Sequence, residues 1–393
     1  MKNYYDYIVV GGGVAGFKSA ETIRRYDQQG SILLVNNEDR IPYKRTKISK
    51  TLAVEAPLNA FVLAAKGWYH AQGIELVADE VLSFSIKAKS LSLKQGGRHQ
   101  FNKLILCTGS AAIIPVLKGQ AKKDIMLLRT AADHDRIKNT IKANDKVIVS
   151  GGGVEGIELA EQALKMGASV TLVHNNFHLL NKHFDKHFAG LIHQLLADNG
   201  IQVIFNESIR SLSNTGNGKK LVQIGDLIHT VAEHILVSNG SQPRTELGRR
   251  AGLEVNKGIL VDAYMQTSSP DIYAAGDVAE HAEGVVTGLW HAAEAQGVVA
   301  GSNAAGEKIA YHQRPYRLKL DIFDQYFFSL NMPASIMGYE VVHWRRNQAE
   351  YSCYFKDNKL QGMLMANDKD KAKLCEQAVH EHWSMAKTKK QLG

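Results

Sequence analysis

The sequence predicts an α/β protein with two similar domains built around parallel sheets, followed by a smaller α+β domain. Near the N-terminus a strand, a glycine-rich turn, a helix and a second strand follow one another, and the same order returns from Lys146. The two turns begin at Gly11 and Gly151, which are about one domain length apart. After Pro315 the pattern changes to alternating, strand-like segments and a terminal helix.

The first repeat has the pattern of a βαβ unit. Residues 5–10 form a short apolar run typical of a buried strand, residues 17–26 have helical character, and residues 31–35 form a second apolar strand. Such a unit packs with a right-handed crossover in a parallel sheet. The second repeat predicts a strand at 146–150, a helix at 157–165 and a strand at 168–173.

The first turn carries Gly11, Gly13 and Gly16 directly between a strand and a helix. In this context the first glycine permits a tight turn, the second admits a pyrophosphate, and the third lets helix and strand pack closely. The pyrophosphate then meets the free N–H groups of the helix N-terminus. Glu38, just past the second strand, is placed to bind the ribose hydroxyls. A dinucleotide site is therefore predicted.

The second turn, with Gly151, Gly153 and Gly156, predicts a second dinucleotide site. Two such sites in one chain suggest a flavin that is reduced by a nicotinamide. His174, Asn175 and Asn176 stand where an acid would select NADH. They include no carboxylate to repel a 2′-phosphate and no arginine to bind one, so NADH and NADPH stay open, with a slight preference for NADH.

These patterns set the predicted domain boundaries. Residues 1–112 and 236–314 form a discontinuous FAD domain, residues 113–235 the NAD(P) domain, and residues 315–393 the α+β domain. A hairpin tip is predicted at 214–218. The last domain is predicted to hold strands at 341–344, 350–355 and 360–365 and one helix over 370–387.

Composition limits the remaining functions. The net charge of +8 fits an acidic protein partner better than nucleic acid, because the lysines are dispersed apart from a short run near the C-terminus. No export signal or membrane span is recognised. The three cysteines, Cys107, Cys353 and Cys375, form no disulfide framework, which favours a cytoplasmic protein. A monomer or homodimer is expected.

Four further segments carry a family resemblance: residues 42–50 (PYKRTKISK), 104–110 (LILCTGS), 267–277 (TSSPDIYAAGD) and 290–297 (WHAAEAQG). Together with the glycine turns they resemble FAD-dependent pyridine-nucleotide reductases with two dinucleotide-binding domains. Within these, the chain is most similar to the branch of rubredoxin reductase, dioxygenase ferredoxin reductases, the flavin part of nitrite reductase and apoptosis-inducing factor. Thr46, Lys47 and His291 stand where that family usually has prolines.

The resemblance implies roles for single residues. Arg45 would lie near the FAD phosphates, and Asp277 would hydrogen-bond the ribityl chain. Lys50 and Glu158 would form an ion pair at the flavin edge, where a cation favours the reduced, anionic ring. From the residues alone, both would be interpreted as surface charges.

We therefore expect FAD to contact Gly11, Gly13, Val14, Ala15, Gly16, Glu38, Arg45, Lys50, Val81, Thr108, Gly109, Asp277 and Trp290. We expect the nicotinamide coenzyme to contact Gly151, Gly153, Val154, Glu155, Gly156, His174 and Gly240. No metal site is expected: His183 and His187, four apart on a predicted helix, are interpreted as a solvated face.

The resemblance implies an NAD(P)H oxidoreductase that passes electrons from FAD to a small redox protein such as rubredoxin or ferredoxin. This electron transfer would need no redox-active disulfide, since no cysteine precedes Cys107. Two alternatives stay open. One is an oxidase or diaphorase that uses oxygen or quinones, and the other is a redox-dependent binding protein resembling apoptosis-inducing factor.

Overall fold

The computed structural model describes residues 1–55, 58–119, 123–281 and 284–393 and divides them into two compact units. Unit 1 comprises Met1–Ile113, Arg129–Ala132 and Ser241–Gln313. Unit 2 comprises Ile114–Leu128, Asp133–Gly240 and Arg314–Gly393. The boundaries of three separate domains stay a prediction.

Helices and strands alternate through most of the chain. The helices are α1 (Val14–Tyr26), α2 (Lys66–Ala71), α3 (Ala131–Thr140), α4 (Val154–Lys165), α5 (Lys186–Asp198), α6 (Glu246–Ala251), α7 (Trp290–Ala304), α8 (Ala372–His380) and α9 (Met385–Leu392). The strands are β1 (Tyr4–Val10), β2 (Ile32–Asn36), β3 (Ile74–Ala78), β4 (Val81–Ser85), β5 (Ser90–Leu93), β6 (Arg98–Leu106), β7 (Ser110–Ala112), β8 (Lys146–Ser150), β9 (Ser169–His174), β10 (Gln202–Phe205), β11 (Ile209–Asn214), β12 (Lys220–Ile224), β13 (Ile228–Ala232), β14 (His234–Val237), β15 (Ser241–Pro243), β16 (Ile259–Leu260), β17 (Ile272–Ala274), β18 (Ala279–Glu280), β19 (Arg317–Ile322), β20 (Gln325–Leu330), β21 (Glu340–Arg346), β22 (Ala349–Lys356) and β23 (Lys359–Ala366).

Unit 1 is built on a sheet in the order β3-β2-β1-β6-β5-β4, with β17 also paired to β6. The strands from β3 to β6 run parallel, as does β17, whereas β5 and β4 are antiparallel. Ile8, Leu33 and Leu104 in its centre are fully buried, because parallel strands are covered on both faces.

Helices α1 and α7 of unit 1 pack closely against each other. A Cβ atom on Gly297 would lie 2.4 Å from the carbonyl oxygen of Ala15, so a glycine is required at this crossing. The hydroxyl of Ser19 donates to the carbonyl of Gly297 at 3.0 Å. This contact holds the glycine-turn helix α1 against α7, whose first residue is Trp290.

Unit 2 contains a second parallel sheet in the order β10-β9-β8-β14, beside the antiparallel sheet β11-β12-β13. Helix α5 begins where the Asp185 side chain accepts from the N–H of Phe188 at 2.8 Å, a helix N-cap. With their parallel sheets, the two units confirm the predicted α/β, Rossmann-like fold class.

The C-terminal part of unit 2 is an antiparallel sheet in the order β19-β20-β23-β22-β21, covered by α8 and α9. Two of its strands, β19 and β20, were not predicted. The single helix predicted over 370–387 is also wrong, because α8 ends at His380 and α9 starts at Met385. His382 has a φ of 50°, which a helix does not allow, and the Ser384 side chain caps the new helix.

Candidate functional site

The first glycine turn connects β1 to α1, and its three glycines differ in what surrounds them. A Cβ atom on Gly11 would lie 2.1 Å from the carbonyl oxygen of Cys107, and one on Gly16 would lie 1.9 Å from that of Gly11. The fold itself therefore needs these two glycines. A Cβ atom on Gly13 would meet no described atom within 4 Å. The open space at Gly13 fits the approach of a pyrophosphate.

The N-terminus of α1 is suited to an anion. Its N-cap residue, Gly13, has no side chain to bond the first N–H groups, and the first turn holds only Val14, Ala15 and Gly16. The N–H groups at a helix start carry partial positive charge. The turn and the helix start thus form a cradle for a phosphate group.

Glu38 lies just beyond β2 and is 11% exposed. Its carboxylate accepts from the Tyr43 hydroxyl at 2.9 Å and from the Ala131 N–H at 3.1 Å, and it forms an ion pair with Arg45. The guanidinium of Arg45 also donates to the carbonyl of Arg129 at 2.7 Å. These bonds hold the predicted ribose-binding acid and the predicted phosphate-binding arginine in one network.

Asp277 belongs to a second network in unit 1. Its carboxylate accepts from the Ser110 hydroxyl at 2.9 Å, and that hydroxyl accepts from the Arg129 guanidinium at 2.7 Å. A residue of α7 holds the turn before Asp277, because the Gln296 side chain accepts from the N–H of Gly276 at 2.9 Å. The network fixes the orientation of the carboxylate predicted to bind FAD.

Two arginines that sequence reasoning missed, Arg129 and Arg244, lie near Arg45. The Arg244 guanidinium donates to the carbonyl of Ser110 at 3.2 Å. Burial lowers the pKa of Arg244, and the charges of Arg45 and Arg129 lower it further. Such a cationic group fits the phosphates of a dinucleotide. The three arginines are far apart in sequence, so no local pattern groups them.

The second glycine turn, between β8 and α4, repeats the geometry of the first. A Cβ atom on Gly151 would lie 2.1 Å from the carbonyl oxygen of Ser238, and one on Gly156 would lie 1.8 Å from that of Gly151. A Cβ atom on Gly153 would again meet no described atom within 4 Å. The turn fits a second pyrophosphate, although here the first helical turn contains an acid, Glu155.

The remaining predicted residues are spread over both units. Thr108 donates to the carbonyl of Arg244 at 3.0 Å, and Gly109 has a φ of 67°. Val81 begins β4 with its side chain in the core, and Lys50 ends a 3₁₀ turn over Arg45–Lys50. In unit 2, Val154 is the first residue of α4 and Gly240 has a φ of 92°. Glu158, on α4, is 4% exposed, so it is not the helix surface residue considered from the sequence.

His183 and His187 do not share a solvated helix face, because α5 begins only at Lys186. His183 stacks on Tyr316 with ring centroids 5.3 Å apart, and His187 contacts the Glu350 carboxylate at 2.7 Å. No group of three or more metal-ligating side chains occurs among the described residues. No helix in the described ranges is long and apolar enough to span a membrane.

All three cysteines are free and buried. Burial raises the pKa of the Cys107 and Cys375 thiols to about 12, and it raises that of Cys353 well above its usual value. Each is therefore a protonated thiol at neutral pH, and only the thiolate reacts as a nucleophile. Cys107 lies just past β6 and packs in the hydrophobic core of unit 1.

Comparison with known proteins agrees with this geometry. A family model described as pyridine nucleotide-disulphide oxidoreductase matches residues 5–297. The benzene 1,2-dioxygenase system ferredoxin–NAD(+) reductase subunit of Pseudomonas putida is 32% identical over 275 residues, which is 69% of this chain and 66% of that subunit. The chain thus spans just under two thirds of this relative's length.

Two solved structures extend the likeness to almost the whole chain. The NADH:rubredoxin oxidoreductase from Clostridium acetobutylicum is 25% identical, with a TM-score of 0.79 over 97% of this chain and 96% of that one. The ferredoxin reductase for the CYP199A2 system from Rhodopseudomonas palustris is 23% identical, with a TM-score of 0.90 over 97% and 96%. At 23% identity, the similarity to this ferredoxin reductase shows only that the fold is shared. Together with the family match, these findings confirm the resemblance inferred from the motifs.

Proposed function

Because the chain belongs to the pyridine nucleotide-disulphide oxidoreductase family, we propose that it passes electrons from NADH or NADPH, through FAD, to a small redox protein. Members of this family are flavin oxidoreductases that use FAD and NAD(P)H, which confirms the predicted enzyme class and cofactors. The acceptor, a protein similar to ferredoxin or rubredoxin, is the new part of the proposal.

The choice of acceptor rests on which enzymes this chain is similar to. One is a ferredoxin–NAD(+) reductase and another an NADH:rubredoxin oxidoreductase that matches 97% of this chain. The net charge of +8 adds support, because a basic protein attracts an acidic partner and speeds its association.

The cysteines support a route without a disulfide. Although the family is named for disulphide oxidoreductases, the three cysteines of this chain are buried and free. Their raised thiol pKa values leave almost no thiolate at neutral pH. Electrons from the flavin are therefore expected to leave directly to the acceptor. Free thiols also suit a cytoplasmic protein, and we propose that location.

In this proposal unit 1 holds FAD and unit 2 holds the coenzyme. The open Gly13 and Gly153 positions admit the pyrophosphates, and the arginines near Glu38 neutralise phosphate charge. Asp277, whose carboxylate accepts from the Ser110 hydroxyl, would accept a hydrogen bond from the ribityl chain. The bound flavin supplies the redox chemistry, which is acceptance of a hydride and release of electrons.

The test is a turnover assay on the purified protein with either coenzyme. An acidic ferredoxin and a rubredoxin are compared with oxygen and a quinone, and with a basic cytochrome as a control of opposite charge. We expect the acidic protein to be reduced fastest, at a rate that falls with added salt because screening weakens charge attraction.

Faster turnover with the quinone or oxygen would contradict the protein acceptor and favour an oxidase or diaphorase. Slow turnover with every acceptor would favour a redox-dependent binding protein. A colourless protein that takes up no added FAD would contradict the whole assignment.

A further inference from the structure

The coenzyme site contains a feature that bears on the choice between NADH and NADPH, and it rests on the function proposed above. His174 is the last residue of β9 and is 7% exposed. In dinucleotide-binding folds an acid at the end of this strand binds the ribose hydroxyls, and its charge repels a 2′-phosphate. What the His174 ring contacts therefore decides whether it can replace that acid.

Both nitrogens of the His174 ring are bonded within unit 2. Nδ1 accepts from the Gly152 N–H at 3.1 Å, and Nε2 lies 3.1 Å from the carbonyl oxygen of His178. Since a carbonyl only accepts, Nε2 must carry the proton. The ring is therefore a neutral imidazole in one tautomer. Burial, which lowers the pKa of His174, favours the same neutral form.

The ring is also packed against the glycine turn. A Cβ atom on Gly152 would lie 2.7 Å from Cγ of His174 and 2.7 Å from a methyl carbon of Leu179. The Gly152 carbonyl in turn accepts from the Leu180 N–H at 3.0 Å. Rotating the ring toward a coenzyme would break both ring hydrogen bonds, so the imidazole is committed to holding the turn.

The two residues directly after His174 carry no charge. Asn175 is exposed and Asn176 is half-buried, and the Asn176 amide donates to the Asn175 side-chain oxygen at 3.1 Å. Glu207 follows the neighbouring strand β10, but its carboxylate lies against Gly225, where a Cβ atom would be 2.0 Å from Oε2. Amide groups hydrogen-bond hydroxyls and phosphates alike.

We infer that this site binds NADH and NADPH with comparable affinity, because a neutral, inward-bonded histidine replaces the acid that would exclude the 2′-phosphate. His174 is then a positioning residue for the glycine turn. The affinity for either coenzyme comes from the pyrophosphate cradle, which does not distinguish them.

The test measures how the charge of the side chain at position 174 changes the selectivity between the two coenzymes. Holoenzyme kcat/KM is measured for NADH and NADPH, and Kd is measured by calorimetry for ADP and 2′,5′-ADP, which need no turnover. For the natural protein we expect both ratios to lie within about 10-fold of unity. His174→Glu should shift both ratios toward the unphosphorylated ligand by at least about 10-fold, whereas the neutral control His174→Gln should leave them unchanged.

A second variant guards against loss of folding at the buried position. Asn175→Asp adds a carboxylate of the same shape on an exposed side chain, and it should shift both ratios in the same direction. A natural preference above about 10-fold for either coenzyme, or variants that leave the ratios unchanged, would overturn the inference. If ADP and 2′,5′-ADP bind equally but neither coenzyme reduces the flavin, the proposed function fails and the inference stands.

Discussion

Replacing Gly13 by alanine would separate what the fold requires from what the ligand requires. Gly13 has φ −75° and ψ −179°, an extended conformation that any residue adopts. A Cβ atom there meets no described atom within 4 Å. Alanine caps a helix less well than glycine, by about 1 kcal/mol at most. Alanine also stabilises the folded protein by about 0.4–1 kcal/mol, because it reduces the conformational entropy of the unfolded chain.

These two effects nearly cancel, so the FAD-free variant should unfold within about 2 °C of the natural protein. FAD binding should change much more, because the methyl group occupies the path of the pyrophosphate to the helix N-terminus. The loss of one hydrogen bond to a charged group costs about 1.5–3 kcal/mol. The Kd for FAD should therefore rise about 10- to 150-fold.

The assay removes FAD from both proteins, titrates it back while flavin fluorescence is followed, and records thermal unfolding of the FAD-free forms. Gly153→Ala is the matched control, because it has the same open surroundings in the second turn. This variant should bind FAD normally, and only its affinity for the nicotinamide coenzyme should fall. Gly16→Ala should destabilise the FAD-free protein, since its Cβ would lie 1.9 Å from the Gly11 carbonyl oxygen. Unchanged FAD affinity of Gly13→Ala would refute the assignment of this turn to FAD.

Three other outcomes are expected. Lys50→Met and Glu158→Gln should each slow flavin reduction in stopped-flow measurements, and the double variant should lose less than the sum; additive losses would mean that they share no site. Replacing all three cysteines by alanine should leave the reduction rate unchanged, because their thiols are protonated and buried; a large loss in a folded protein would contradict a route without thiols. Hydrogen bonds from Lys103 and Lys89 lower the pKa of Asp271 below its usual 3.8, so this carboxylate contributes stability above that value and loses it as the pH falls through its lowered pKa. Asp271→Asn should therefore lower the melting temperature at pH 7 by an amount that shrinks below pH 3.8, and a difference independent of pH would contradict the ion pairs.

Much of the fold could be predicted because its signals are contiguous. The strand over Lys146–Ser150 was predicted with its observed bounds, since a buried parallel strand is a continuous apolar run. The two glycine turns were recognised for a similar reason, because their spacing reflects contacts within a single strand-turn-helix segment. The predicted helix over 370–387 was wrong because the break at His382 depends on packing, not on a glycine or proline in the sequence.

The sequence alone determined that the chain has two glycine turns with the spacing typical of dinucleotide sites, an acid after the first and none directly after the second. Only the tertiary structure brought Arg129 and Arg244 to the two networks that contain Glu38 and Asp277, and only it turned the His174 ring toward Gly152. Both arrangements join residues that are distant in sequence. A periodic pattern reports which face of an element is buried, but not which distant side chain it meets there.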